Sequence, residues 1–108
     1  MTGVANTAGA GGATDGTGTA ATFNRPYGIT TDGTNLYVVD QSNCKIRKIV
    51  IVTGVVSSLT GVANTAGTWG ATDGAAAAAL FNYPTDITSD GSSLYVVDQG
   101  NNEIRKIQ

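Results

Sequence analysis

The stretch that decides the fold is Pro-Tyr-Gly-Ile-Thr-Thr-Asp-Gly-Thr-Asn-Leu-Tyr-Val-Val-Asp, residues 26–40. Asp32-Gly33 is a strong signal for a tight hairpin turn, and the residues on either side of it favour β-strands. Working outward, residues 41–43 and Thr53-Gly54 give two further turn signals. The sequence therefore predicts four antiparallel strands joined by tight turns, at Pro26–Thr31, Leu36–Asp40, Lys45–Val52 and Val55–Leu59.

The whole pattern occurs twice. Thr2–Gly9 returns unchanged as Thr60–Gly67, and residues 1–50 share 33 identical positions with residues 59–108. A period of this length is typical of propellers and solenoids, whose units each need a neighbour to cover their apolar faces. We expect a first repeat at residues 1–58, containing a long connection and the first sheet. The second repeat is expected at residues 59–108, with its fourth strand missing.

Neither face of the predicted sheet is cleanly polar. The segments Leu36-Tyr-Val-Val and Ile46-Arg-Lys-Ile-Val-Ile-Val place apolar residues on both sides. A sheet that must be covered on both faces fits a stack of blades better than a single sheet with one face in water. We therefore predict an all-β chain with two four-stranded antiparallel meanders, each of them a blade of a β-propeller.

Three motifs, each present in both halves, carry a family resemblance. They are Phe-Asn-x-Pro before the first strand, Leu-Tyr-Val-Val-Asp in the second strand and Ile-Arg-Lys-Ile in the third. In this order they resemble the NHL-repeat β-propellers, most closely bacterial members with Thr-Asp-Gly in the connection between blades. The resemblance covers essentially the whole chain. It implies four-stranded blades around a central channel, usually six in a ring, in proteins that mostly bind proteins, peptides or RNA through one face.

Two blades cannot close a ring, so we expect the chain to associate with itself. Three chains would supply six blades, which the resemblance favours, and four chains would supply eight. Met1 stands where the second repeat has Leu59, and the counterpart of Ile51–Ser58 is missing at the C-terminus. This pattern indicates an excised or engineered fragment of a longer repeat protein.

The outer edge of the last blade is then expected to be covered by another chain. Thr2–Ala5 of a neighbouring chain is the segment that we expect there. Charged residues of the last strand, Glu103, Arg105 and Lys106, would protect this edge from uncontrolled strand pairing.

The composition argues against several classes of function. The 108 residues include no histidine, which removes His-based acid–base catalysis, Ser-His-Asp triads and His-ligated metal sites. Cys44 is the single cysteine and has no histidine to act as its base. A net charge of −2 gives no strong attraction to nucleic acid or to an anionic membrane, and no apolar run is long enough for a membrane helix. We predict no enzyme activity, no cofactor, no metal, and no nucleic-acid or membrane partner.

Five of the six basic residues lie on the two third strands, at Lys45, Arg47, Lys48, Arg105 and Lys106. A nucleic-acid site would combine such residues with exposed aromatic side chains on one face. Because the net charge is slightly negative, we expect instead that they pair with aspartates between blades or lie at the solvated periphery.

Aspartates recur at matching positions of the two repeats. Asp40 and Asp98 end the second strands and are followed by asparagines, so both could supply oxygen ligands for Ca²⁺. They could equally cap turns by accepting hydrogen bonds from backbone amides. Recurrence in both repeats favours the structural role, which we predict also for the hairpin residues Asp32 and Asp90. Asp15-Gly16 and Asp73-Gly74 are predicted to form turns.

Positions that differ between the repeats are the best candidates for a binding site, because the scaffold is shared. Arg25 corresponds to Tyr83, Tyr27 to Thr85 and Gly28 to Asp86, all near the start of the innermost strand. We expect Arg25, Tyr27, Tyr83 and Asp86 to ring the mouth of the channel, where loops held by a scaffold often bind ligands. Asp86 would pair with Arg25 or, in three copies near a threefold axis, hold a cation or water molecules.

Three functional hypotheses follow, in decreasing order of preference. The first is a non-catalytic scaffold module that self-assembles into a complete propeller. The alternative is a ligand- or protein-binding domain of a larger secreted or envelope bacterial protein, with its site at the channel mouth; a metal-dependent hydrolase comes third. The cellular location stays open, although low charge, a single cysteine and richness in Gly and Thr favour an extracellular or envelope origin.

Overall fold

A computed structural model describes residues 11–61, 70 and 79–107. Within these ranges the chain is all-β, as predicted, and no helix is long and apolar enough to cross a membrane. The strands form two antiparallel sheets, called sheet 1 and sheet 2. Their bounds are β1 (Gly16–Thr17), β2 (Pro26–Thr31), β3 (Asn35–Asp40), β4 (Lys45–Val50), β5 (Val55–Ser58), β6 (Pro84–Ser89), β7 (Leu94–Asp98) and β8 (Glu103–Ile107).

Sheet 1 is the predicted meander of β2, β3, β4 and β5, with β1 added at its outer edge. The third strand ends at Val50 and not at Val52. Gly54 ends the strand early because it adopts a left-handed conformation (φ 72°) and donates its N–H to the Val50 carbonyl at 2.8 Å. This hydrogen bond closes a turn that contains residues 51–53. Glycine reaches this conformation at no steric cost.

The short strand β1 was not predicted. Gly16 and Thr17 pair with Val56 and Val55 of β5, so the prediction of a turn at Asp15-Gly16 is wrong. An exposed sheet edge offers unpaired N–H and C=O groups. The connection that precedes β2 pairs with this edge at two residues of β5. The equivalent Asp73-Gly74 lies outside the described residues.

Sheet 2 repeats the register of sheet 1. Within the described part of the chain it contains β6, β7 and β8 in that order. Val97 lies opposite Ile104 in this sheet, as Val39 lies opposite Ile46 in sheet 1. The first strand of each meander also carries a register shift, between Pro26 and Ile29 in β2 and between Pro84 and Asp86 in β6.

The hydrophobic core lies between the two sheets. Its buried members are Val39 and Ile46 of sheet 1 together with Ala79, Phe81, Ile87, Leu94, Val96 and Ile107 of the second repeat. Each of these side chains except that of Ala79 contributes about 1.5–3 kcal/mol when it is removed from water. The contact between sheets is therefore the main source of hydrophobic stabilisation in the described chain.

The two sheets use opposite faces in this contact. Face A of sheet 2 carries Ile87, Leu94, Val96 and Ile107, and face A of sheet 1 carries their counterparts Ile29, Leu36, Val38 and Ile49. Face B carries Val39 and Ile46 in sheet 1 and Val97 and Ile104 in sheet 2. Face B of sheet 1 packs against face A of sheet 2.

Candidate functional site

A buried arginine organises sheet 1. Arg47 Nη1 donates to Asp40 Oδ2 and to the Thr22 carbonyl, both at 2.8 Å. Its Nη2 donates to Asp15 Oδ1 at 2.7 Å and to the Thr14 carbonyl at 2.9 Å. The side chains of Arg47 and Asp40 are fully buried. Such a cation is tolerated in the interior because carboxylates and carbonyls surround it.

Sheet 2 repeats this arrangement. Arg105 Nη1 donates to Asp98 Oδ2 at 2.8 Å and to the Leu80 carbonyl at 3.0 Å. Each guanidinium also lies over a phenylalanine ring, 4.7 Å from the Phe23 centroid for Arg47 and 5.0 Å from the Phe81 centroid for Arg105. Cations are attracted to the face of an aromatic ring at such distances.

These contacts correct two predictions about basic residues. Among the described residues, the printed ion pairs of Arg47 and Arg105 join each arginine to carboxylates of its own repeat, whereas pairing between blades was expected. Arg105 is also buried, with 6% exposure, so it does not guard the outer edge of β8. The reason is the pairing register, which places each arginine on the same sheet face as the aspartate that ends the neighbouring strand.

Asp40 and Asp98 fix the segments that precede β2 and β6. Asp40 Oδ1 accepts the Asn24 N–H at 2.7 Å, and Asp98 Oδ1 accepts the Asn82 N–H at 2.8 Å. The second oxygen of Asp40 accepts from Asn43 Nδ2 at 2.7 Å, besides Arg47. Both oxygens of these carboxylates are thus occupied by protein donors, and the described residues contain no cluster of three or more side chains suited to a metal ion.

Arg25 and Tyr83 occupy the same strained position in the two repeats. Both are left-handed, with φ of 56° and 49°, and both are exposed. The asparagine before each of them is fixed at both backbone groups. Its N–H donates to Asp40 or Asp98, as described above, and its carbonyl accepts a second bond, from Ser42 N–H to the Asn24 carbonyl at 3.0 Å and from Gly100 N–H to the Asn82 carbonyl at 2.8 Å. This conformation costs a non-glycine residue about 1–3 kcal/mol, and it is often found where side chains are presented for binding.

Strands β2 and β6 approach each other closely at Gly28 and Asp86. A Cβ atom on Gly28 would lie 2.6 Å from Asp86 Oδ1 and 2.8 Å from its Cα, too close for any side chain. The Asp86 carboxylate accepts the N–H of Ile87 at 2.8 Å. Within the described part of the chain no ion pair joins Arg25 to Asp86, so the expected pairing of these two residues does not occur within one chain.

The four candidate channel-mouth residues all lie in exposed positions at the start of β2 and β6. Tyr27 is 61% exposed and Tyr83 is 51% exposed, while Arg25 and Asp86 are also exposed. The structure places Asp86 against β2. It leaves Arg25, Tyr27 and Tyr83 as solvent-facing groups with hydroxyl and guanidinium donors, suited to hydrogen bonding and ring stacking with a small polar ligand.

The hairpin aspartates hold tight turns. Asp32 Oδ1 accepts the N–H groups of Asn35 at 2.7 Å and Thr34 at 2.9 Å, and Oδ2 accepts the Tyr37 hydroxyl at 2.9 Å. These hydrogen bonds, with that of Asn35 the largest, lower the pKa of Asp32 from 3.8 to about 2. Burial and the bond to this carboxylate raise the pKa of Tyr37.

The second hairpin has the same design. Asp90 Oδ1 accepts the N–H groups of Ser92 and Ser93 at 2.9 and 2.8 Å, and Oδ2 accepts the Tyr95 hydroxyl at 3.0 Å. The pKa of Asp90 is lowered by the Ser92 and Ser93 amides, and the pKa of Tyr95 is raised by its bond to Asp90. Each hairpin therefore locks its turn to the adjacent strand through one carboxylate.

Sequence reasoning missed a contact at the outer edge of β4. Thr60, fully buried, accepts the Ile46 N–H with its Oγ1 at 3.0 Å. The Ile46 carbonyl in turn accepts the N–H groups of Leu59 at 2.9 Å and Thr60 at 3.3 Å. The signal that could have found it is the unchanged return of Thr2-Gly3 as Thr60-Gly61, in a stretch with no core-forming pattern.

Lys45 was also missed as a buried group. Lys45 is fully shielded from solvent, and its Nζ donates to Ser58 Oγ at 3.0 Å. Burial, with Arg47 nearby, lowers the pKa of this ammonium group. The counterpart in the second repeat is the exposed Glu103, so this position distinguishes the outer parts of the two sheets.

Comparison with known proteins gives structural relatives only. No protein-family model and no curated protein sequence matches the chain. A Bacteroides thetaiotaomicron protein of unknown function is 33% identical, with a TM-score of 0.80, over 90% of this chain and 24% of its own length. An auxiliary nutrient binding protein from the same species is 29% identical over 93% of this chain and 26% of its own length, with a TM-score of 0.80.

A third protein from that species, named as a candidate phosphatase, is 27% identical over 92% of this chain and 24% of its own length, with a TM-score of 0.77. The chain therefore spans about a quarter of the length of the solved proteins that it matches. What it has in common with them is an arrangement of two antiparallel sheets.

Proposed function

We propose that this chain is a non-catalytic scaffold module of an NHL-like β-propeller, and that it completes its ring by associating head to tail with further copies of itself. One observation carries the proposal. The contact between sheets 1 and 2 uses face B of the first and face A of the second, which leaves one face of each kind uncovered.

Face A of sheet 1 is open around Ile29. Ile29 is 58% exposed, whereas its counterpart Ile87, inside the contact between sheets, is 5% exposed. Ile29, Leu36, Val38 and Ile49 help to line a predominantly apolar groove of about 370 Å³. An apolar surface of this kind marks an interaction site in a soluble protein.

Face B of sheet 2 is open as well. Val97 is 38% exposed and Ile104 is 68% exposed, whereas their counterparts Val39 and Ile46 are fully buried. A second copy offers to this face the groove of its own sheet 1. The existing contact would then be repeated between chains. A heterologous contact that recurs gives a ring when its rotation closes and an open filament when it does not, and the resemblance to propellers favours the ring.

The number of chains follows from the number of blades. Three chains supply six blades, the usual number in the NHL-like propellers that the motifs resemble, and four chains supply eight. Light scattering after size exclusion distinguishes these assemblies. From a chain mass of 10.9 kDa, a trimer would weigh about 33 kDa and a tetramer about 44 kDa. A folded species of 10.9 kDa at every concentration would contradict self-assembly.

A matched pair of variants tests the faces directly. Ile104→Glu places a charge on face B of sheet 2 and is expected to give a folded monomer. Val52→Glu is the control, because Val52 is 91% exposed in the β4–β5 turn and lies on neither face. The control should assemble like the unaltered chain. If Ile104→Glu assembles equally well, the head-to-tail contact is wrong.

The non-catalytic part of the proposal has its own test. The sequence supplies no histidine, and the described residues offer no metal cluster. One structural relative is named as a candidate phosphatase. We therefore expect no turnover of p-nitrophenyl phosphate, with or without added Mg²⁺ or Zn²⁺, and turnover above background would overturn this part.

A second candidate is a ligand-binding role at the channel mouth. It is favoured by the exposed, strained Tyr83, by the exposed Tyr27, and by the name of one relative, an auxiliary nutrient binding protein. Neutral mono- and disaccharides are suitable first probes, because sugar rings stack on exposed tyrosines. Chemical-shift changes at Tyr27 and Tyr83 that disappear in Arg25→Ala, with the fold intact, would support this role.

A further inference from the structure

The two repeats differ at the position where β2 meets β6. Gly28 of β2 does not have the left-handed φ that favours glycine, so its own backbone would accept another residue. What it lacks is space, because a Cβ atom there would lie 2.8 Å from the Cα of Asp86 and 3.1 Å from the Ile87 nitrogen. Both are backbone atoms of the neighbouring sheet, and they are what requires glycine at residue 28.

Asp86 occupies the equivalent position in sheet 2. It lies opposite Val97 in the pairing of β6 with β7, and residues that lie opposite each other have their side chains on the same face of a sheet. The Cβ atom of Asp86 therefore lies on face B, with Val97 and the exposed Ile104. The missing Cβ of Gly28 would also lie on face B, since that is the face of sheet 1 which sheet 2 covers.

The proposed head-to-tail contact would bring Asp86 against a strand that it cannot approach as closely as Gly28 does. In that contact sheet 2 of one copy takes the place of sheet 1, and Gly28 of the next copy takes the place of Asp86. If the contact within the chain were repeated unchanged, the Asp86 Cβ would lie 2.8 Å from the Cα of that glycine. Carbon atoms in contact lie about 3.5–4.0 Å apart, so the two strands must separate by at least about 0.7 Å.

We propose that Asp86 sets the spacing of the contact between copies and makes it weaker than the contact within the chain. β6 of one copy and β2 of the next lie farther apart than β2 and β6 of a single chain, and narrow and wide contacts alternate around the assembly. The part of the side chain that acts is Cβ, whereas the carboxylate accepts the N–H of Ile87 at 2.8 Å. This inference rests on the proposed self-assembly and adds the residue that controls its strength.

Three variants at residue 86 separate the Cβ atom from the charge. Asp86→Gly removes both, Asp86→Ala keeps Cβ, and Asp86→Asn keeps the shape of the side chain without its charge. The Kd of each contact is measured by sedimentation equilibrium, with folding checked by circular dichroism. It is expected to fall about tenfold in Asp86→Gly, because relief of an overpacked contact is worth about 1.4 kcal/mol or more. The alanine and asparagine variants should stay within about threefold of the unaltered chain.

A second measurement uses the unaltered chain and depends on no variant. In an assembly of isotope-labelled and unlabelled copies, filtered NMR spectra separate proton contacts between copies from those within one copy. An α-proton of Gly28 takes the place of the missing Cβ and points at Asp86. The contact between the α-protons of these two residues should be strong within a chain and weak between copies. Equal strengths would overturn the proposal.

The outcomes also separate this inference from the assembly on which it rests. If the unaltered chain assembles and Asp86→Gly binds no more tightly, or all three variants tighten equally, Asp86 does not act through Cβ and the head-to-tail assembly stands. If the unaltered chain stays at 10.9 kDa while Asp86→Gly assembles, self-assembly of the unaltered sequence is wrong and the role of Cβ is supported. If both stay at that mass, both proposals are wrong.

Discussion

Arg47 donates to the carboxylate of Asp40 across 2.8 Å, and neither side chain is exposed to solvent. Removing the charge of Arg47 leaves the Asp40 carboxylate buried without an opposite charge beside it. We expect Arg47→Met to lower the free energy of unfolding by about 3–5 kcal/mol. Urea denaturation followed by circular dichroism measures this loss.

Lys48→Met is the control for that variant, since Lys48 is the next residue and is only partly buried. It should change the free energy of unfolding by less than about 1 kcal/mol. Equal losses in the two variants would mean that the buried network does not stabilise the sheet.

Gly28→Ala tests the close approach of β2 and β6. The new Cβ atom would lie 2.8 Å from the Cα of Asp86 and 3.1 Å from the Ile87 nitrogen, so the two sheets must separate. The expected loss is about 1–3 kcal/mol, the usual range for overpacking. Adding Asp86→Gly removes the carboxylate but not the backbone atoms, so the double variant should stay destabilised. Full recovery of stability would place the clash in the side chain alone.

The hairpin aspartates predict a specific acid sensitivity. The pKa of Asp32 is about 2 in the fold and 3.8 ordinarily, so its stabilising effect is complete above about pH 4 and is lost as the pH falls towards 2. Asp90, whose pKa is also lowered, acts in the same direction. Asp32→Asn keeps the acceptor oxygen for the turn amides and removes the titration.

The measurement is the free energy of unfolding between about pH 5 and pH 2, where the unaltered chain should lose stability more steeply than Asp32→Asn. Asp90→Asn provides a second, independent copy of the same comparison. Identical slopes in the unaltered chain and both variants would contradict the role of these hydrogen bonds.

The strands could be predicted because their signals are local. Asp32-Gly33 marks a turn within two residues, and the apolar residues of β3 and β4 leave neither face polar, which indicates burial on both sides. The buried arginine could not be predicted in the same way. Arg47 and Asp15 are 32 positions apart, and their contact depends on a pairing register that no local pattern encodes.

The candidate site was predictable only as a set of positions. Comparing the repeats singles out Arg25, Tyr83 and Asp86, because these positions differ between the repeats while the positions that build the sheets are the same. Their conformations follow from hydrogen bonds made by neighbouring residues, such as the bond from Asn24 N–H to Asp40, and the absence of an Arg25–Asp86 ion pair within the described chain follows from how the sheets pack. β1, with two residues, is too short for a pattern of its own.

The ligands of Arg47 have a consequence for how such a chain can arise. Thr14, Asp15 and Thr22 stand before β2, so the arginine of each sheet depends on the connection that precedes it. A gene duplication that copied only the four-stranded meander would leave the new guanidinium without part of its polar cage. The heritable unit is thus connection plus sheet, and recombination within residues 14–58 would be selected against.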